Sequence, residues 1–162
     1  FEEFAKRWPD LMSKSRQQYI GVGKGWHGIL EILFASLSSD VNRARHLLDY
    51  ALKNPDAKFK KSIRELEEDV EDALEHLPII MQIKEKFGTL RFYADNVSEK
   101  HEHYIAFAES MSSVVCEVCG CPGSPRNEGW IKVLCDQHHA DRQKQYGYLR
   151  APIKAPFDEN EE

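Results

Sequence analysis

All four cysteines of this 162-residue chain lie between positions 116 and 135, and that clustering limits what the C-terminal third can form more than any other feature. A disulfide-stapled secreted fold spreads its cysteines to tie distant loops together, whereas a tight cluster points to metal and to a reducing compartment. Cys116 and Cys119 flank two residues, Gly120 follows to reverse the chain, and Cys135 precedes His138 and His139. Two cysteines separated by two residues can bind one tetrahedral ion from a tight turn. A second ligand pair at i and i+3, on the first turn of a helix, completes the set. The pattern C-x2-C-x15-C-x2-H therefore predicts a structural zinc site held by Cys116, Cys119, Cys135 and His138. The Cys135 thiolate would also gain from the positive end of the helix it opens. His139, at i+4, is an alternative to His138, and Cys121 is a spare thiol close to the ion. With every position filled by protein, no site is left for an activating water, which is the mark of a structural ion.

Gly129 to Leu134 reads as a strand ahead of that last helix. Knuckle, hairpin and a helix that starts with a ligand pair make the layout of a treble-clef zinc finger. Nucleases of the HNH type share this layout, but they need a general-base histidine on the hairpin and further ligands for a catalytic ion. Between Cys119 and Cys135 there is no histidine and a single acid, Glu128. No nucleophile–base pair or open metal site stands out elsewhere, so a non-enzymatic protein is expected.

The rest of the chain predicts an α+β fold that is mostly helical. Phe4, Trp8, Leu11 and Met12 mark one short helix interrupted near Pro9. Gly21, Gly23 and Gly25 precede Trp26, but their spacing fits neither a P-loop nor a dinucleotide fingerprint. A flexible turn that ends by burying Trp26 is the better reading. From Gly28 to Lys53, Leu30, Leu33, Leu37, Val41, Ala44, Leu48 and Ala51 recur in steps of three and four, predicting one long helix ended by Asn54 and Pro55. A second runs from about Lys60 to His76 and would pack against the first as an antiparallel pair.

Ile79 to Glu85 and Thr89 to Tyr93 predict a β-hairpin, with Met81, Ile83, Leu90 and Phe92 on one face and Gly88 in the left-handed turn position. Lys84, Lys86 and Arg91 lie on or near the other face, which reads first as a solvated surface and is also one of two places where a nucleic-acid phosphate could sit. A third helix starts near Ser98, with Tyr104, Phe107, Met111 and Val114 as its core stripe and His101 and His103 on the surface. The expected organisation is a helical and hairpin body over residues 1–111, a zinc module over 112–150 packed on it, and an extended or disordered acidic tail over 151–162.

The formal net charge is -5, so the whole chain repels nucleic acid and anionic membrane. No stretch approaches the ~20 apolar residues needed to span a bilayer. The second long helix concentrates acids on its outer face, including Glu67, Glu68, Glu71, Asp72 and Glu75, with no base on that face. A face of this kind reads first as a solvated helix surface, and its functional alternative is a docking surface for a basic protein partner. The competing reading is DNA or RNA binding by the zinc module through Arg126, Lys132, Arg142 and Lys144, aided by stacking on Trp130, Tyr146 and Tyr148.

Gln82 to Tyr93 (QIKEKFGTLRFY), the cysteine knuckle, and Gly129 to His138 (GWIKVLCDQH) together resemble a family of small phage and prophage proteins. Trp8 to Leu11 (WPDL) and Gly25 to Leu30 (GWHGIL) echo the same family. The chain departs from it at His27, where a second aromatic is expected, and at Cys121. The resemblance implies a phage-encoded protein acting in the bacterial cytoplasm and carries no activity with it. By class, such accessory proteins engage a host or phage protein.

Overall fold

The computed structural model describes residues 1–17 and 19–150, and the expected acidic tail lies outside them. It is an α+β fold of short helices α1 (Glu2–Arg7) and α2 (Pro9–Ser13), helices α3 (His27–Leu37), α4 (Ser39–Lys53) and α5 (Ile63–Glu75), strands β1 (Ile79–Lys86) and β2 (Thr89–Asp95), helix α6 (Glu99–Ser112), strands β3 (Ser124–Arg126) and β4 (Lys132–Leu134), and helix α7 (Asp136–Arg150).

The single helix expected over residues 28–53 is broken at Ser38. Leu30, Leu33, Phe34 and Leu37 of α3 are buried, but beyond the break only Val41 and Ala51 of α4 are. A serine pair at 38 and 39 tolerates the bend, which lets α3 pack on α6 and sends α4 along α5. The expected antiparallel pair is thus α4 with α5. The Tyr50 ring near the end of α4 meets Phe59 ahead of α5, at 5.8 Å between centroids. Leu37 and Val41 share a groove with His76 and Leu77 at the other end. A full capping box starts α5, in which Ser62 Oγ accepts from Glu65 N–H and the Glu65 carboxylate accepts from Ser62 N–H.

Strands β1 and β2 pair antiparallel through a two-residue turn in which Phe87 (φ 53) and Gly88 (φ 78) are both left-handed. The register slips between Ile80 and Gln82, leaving Met81 in a bulge. Consequently Ile80 rather than Met81 joins Ile83, Leu90 and Phe92 in the core. Both sheet edges are covered. On the β1 edge the Gln17 side chain bonds both N–H and C=O of Ile83, and Gly21 N–H donates to Ile83 O while Gly21 O accepts from Glu85 N–H. On the β2 edge, Ser112 Oγ accepts from Leu90 N–H and Glu109 Oε1 from Phe92 N–H, both at 2.8 Å. Every donor so paired is one fewer exposed edge group.

Helix α6 is rotated from its expected setting. Its buried residues are His101, Ala108 and Ser112, whereas Phe107 is 65% exposed and Met111 and Val114 are also exposed. Of the expected stripe only Tyr104 packs against the core, half-buried, and the other three residues do not. His101, expected at the surface, is buried because its ring folds back to accept from Ser98 N–H at 3.4 Å while Ser98 Oγ accepts from His101 N–H. The core collects Phe4, Trp26, Phe34 and Phe92 with the aliphatic residues of α2, α3, β1 and β2, and it extends into the C-terminal module through Val133.

Candidate metal centre

The knuckle is built by backbone bonds. Cys116 O accepts from Gly120 N–H at 2.9 Å, Cys121 O from Cys116 N–H at 2.8 Å, and Gly120 has φ +79. Glycine takes that left-handed geometry without strain. Val133 O accepts from Glu117 N–H at 3.0 Å, stitching the knuckle to β4, so the chain delivers Cys135 directly beside it. Cys135 O then accepts from His139 N–H at 2.9 Å, the first turn of α7, which swings His138 towards the thiols.

The ligand atoms of Cys116, Cys119, Cys135 and His138 lie within 4.8 Å of one another. Cys119 Sγ is 3.9 Å from Cys135 Sγ, and His138 Nδ1 is 3.6 Å from Cys116 Sγ and 3.2 Å from Cys135 Sγ. A tetrahedral ion with thiolates at about 2.3 Å and imidazole at about 2.05 Å sets edges of roughly 3.6–3.8 Å. The four residues fit a metal ion, and the histidine atom offered is Nδ1. Neither His139 nor Cys121 belongs to the cluster. His139 turns away to Glu128, with Nε2 at 2.8 Å from Oε2, and that pairing lowers the Glu128 carboxyl.

Burial pushes the Cys116 thiol up, but it is outweighed by backbone N–H groups of Cys135, Cys119 and Val118 aimed at the sulfur, which bring it to about 6. The Cys119 and Cys135 thiols are raised: backbone donors lower them, but desolvation and neighbouring sulfurs prevail. One thiolate thus forms readily and makes the others harder to ionise, a repulsion that a divalent cation relieves.

The glycine-rich turn proves to be the seat of this knuckle, which sequence reasoning missed. Glu117 O accepts from Gly25 N–H at 2.9 Å, and Val115 O accepts from the fully buried Trp26 Nε1–H at 2.8 Å. A side chain on Gly25 would stand 2.2 Å from Cys116 O, and one on Gly23 would stand 2.1 Å from Glu117 O. The glycines permit backbone-to-backbone approach. The signal was legible only as three glycines before a tryptophan, because their target lies some ninety residues away.

Glu117 is the other residue missed. It is buried and ion-paired with Lys132. Lys132 is one of four bases considered for nucleic acid, and all four have internal partners. Arg126 reaches Asp136 at 2.5 Å, Arg142 donates to Glu128 O and Trp130 O, and Lys144 faces Asp141 at 3.7 Å. The acidic helix is also not unrelieved: Arg64 pairs with Glu68 and Lys61 with Asp69. Glu67, Glu71 and Glu75 have exposed side chains and no ion-pair partner among the described residues. Among those residues, no helix is long and apolar enough to cross a membrane.

No protein-family model matches the chain, and neither a curated protein nor a solved structure matches it.

Proposed function

We propose that the chain is a zinc-stabilised, phage-encoded accessory protein that acts in the bacterial cytoplasm by binding a host or phage protein. The observation that carries this reading is the closed donor set. Three thiolates and one imidazole suit a borderline-soft ion with no geometric preference of its own, which favours zinc over harder cations. Four protein ligands leave no coordination position for water or substrate, which supports a structural role. The module would be a treble clef, in which knuckle, β3–β4 hairpin and the start of α7 enclose the ion.

The zinc adds stability to the body as well as to the module, because the knuckle carries the 23–26 turn and, through Trp26, the core. Purified protein is expected to hold stoichiometric zinc, to lose it on Cys135→Ala, and to lose near-ultraviolet tryptophan ellipticity when chelated. Retention of metal and fold by Cys135→Ala sinks the zinc reading.

Protein binding is favoured over nucleic-acid binding by the C-terminal module because the four bases suited to the latter are engaged internally. The surface proposed for the partner is the α5 ridge of Glu67, Glu71 and Glu75, spaced one helical turn apart with Glu68 beside them. Affinity capture from bacterial lysate treated with nuclease is expected to retain one stoichiometric protein, released by charge reversal at these glutamates. Failure to retain any protein would refute this part.

A further inference from the structure

The solvent side of the β1–β2 hairpin carries a feature that neither the metal nor the acidic helix uses. In the observed register Lys84 pairs with Arg91, Lys86 with Thr89 and Gln82 with Tyr93, so three cations and a tyrosine share one face, while Ile83, Leu90 and Phe92 occupy the other. The glutamate between the lysines does not neutralise them. Glu85 takes Gly88 N–H on one oxygen and Trp130 Nε1–H on the other, at 2.7 and 3.0 Å. Lys84 and Lys86 have no carboxylate partner among the described residues, whereas Arg91 pairs with Glu109 at 3.9 Å and donates to Leu90 O at 2.7 Å, which leaves part of its guanidinium for a further acceptor.

Aromatic rings border the same face. Lys84 Nζ lies 5.2 Å from the centroid of Tyr93, and Lys86 Nζ lies 5.3 Å from that of Phe87. Tyr19 stands beside Gly21, which bridges to Lys84. Tyr19, Phe87 and Tyr93 are 63%, 66% and 43% exposed. Tyr93 on the strand, Phe87 in the turn and Tyr19 beside the edge thus flank Lys84 and Lys86, which only weak ring contacts hold in place.

We propose that this face binds single-stranded nucleic acid, with Lys84, Lys86 and Arg91 on consecutive phosphates and Tyr93, Phe87 and Tyr19 stacking unpaired bases. An acidic peptide would satisfy the cations but leave the rings uncovered. A duplex presents its bases only at groove edges and cannot stack on them. A strand with splayed bases meets both demands.

The test is fluorescence anisotropy of labelled oligo-dT and oligo-U with the zinc-replete full chain. Three phosphate contacts on a single strand imply a log–log salt slope of about -2, so binding should weaken about fifteenfold between about 50 and 200 mM salt. Tyr93→Ala should weaken it about fivefold to a hundredfold, in the range set by loss of one stacked base. Lys84→Gln with Lys86→Gln should lower affinity and reduce the slope, while Lys58→Gln with Lys60→Gln, on the exposed α4–α5 loop, should leave both unchanged. Zinc content and near-ultraviolet ellipticity establish that each variant is folded. Failure to bind either oligonucleotide at low salt would overturn the proposal. So would equal affinity for duplex DNA or polyglutamate, or binding by a folded Tyr93→Ala variant that matches the native chain.

Discussion

A methyl group at Gly25 would stand 2.2 Å from Cys116 O, 2.6 Å from Gly120 N and 2.8 Å from Cys119 N. All three are backbone atoms of the cysteine knuckle, so no rotamer change relieves the clash, and turn and knuckle must separate by about 1 Å to restore van der Waals contact. Separation breaks the Gly25 N–H bond to Glu117 O and strains the Trp26 bond to Val115 O, each worth about 1 kcal/mol net. Overpacking adds about 1–3 kcal/mol. Gly25→Ala is therefore expected to destabilise the chain by about 3–5 kcal/mol, out of a total of about 5–15. For a chain of this length the melting temperature should drop by about 6–20 °C.

Urea unfolding followed by tryptophan fluorescence, with release of the proposed zinc read in parallel by a chromogenic chelator, measures both consequences together. Gly28 is the internal control. It lies in the first turn of α3 with nothing within 4 Å of an added Cβ, so Gly28→Ala should stabilise by about 0.5–1 kcal/mol through helix propensity and a less flexible unfolded chain. A Gly25→Ala variant within about 0.5 kcal/mol of the native chain would refute the idea that this turn seats the knuckle.

Other substitutions probe the remaining contacts. Phe107→Ser, at an exposed position on α6, should change stability by less than about 0.5 kcal/mol, whereas Phe34→Ala in the core should cost about 3–5 kcal/mol; the two denaturant midpoints compare directly. Lys132→Met leaves the buried Glu117 carboxylate without its cation and should cost about 3 kcal/mol, a loss of fold rather than of any nucleic-acid contact, visible as a lower midpoint in the absence of ligand. Burial holds the His101 imidazole below its ordinary 6.5, with Lys100 reinforcing and Asp40 opposing. Between the native and unfolded values the unfolded chain binds more protons. The stability His101 contributes is therefore fully present above pH 6.5 and lost as pH falls through the lowered native value. Its ring resonances should titrate below 6.5, and His101→Gln, which keeps an acceptor at the same capping position without a titrating ring, should shrink the loss of stability on acidification.

Local pattern was enough for the candidate metal ligands, because a knuckle and the first turn of a helix are both short-range geometries. Cys116, Cys119, Cys135 and His138 could be named as candidates from spacing, but His139 at i+4 stayed an alternative that only the fold removes, by turning it to Glu128. The hairpin turn at Gly88 and the capping serine of α6 were equally local. What periodicity could not supply was orientation. Tyr104, Phe107, Met111 and Val114 form a valid helical stripe, yet α6 packs through His101, Ala108 and Ser112, since Glu109 and Ser112 are drawn to the open edge of β2. Met81 satisfied the alternation that a bulge then displaced.

The helix broken at Ser38 and the seating of the knuckle on Gly23 and Gly25 depend on surfaces that meet only after the chain has folded back across most of its length. The amino-acid sequence by itself thus determined which residues could hold a metal ion, because ligand spacing is set by backbone geometry within a few residues. Tertiary structure alone decided which of the remaining charges are paired within the chain. Ion pairs such as Lys132 with Glu117 and Arg126 with Asp136 exist only once strand and helix are packed together.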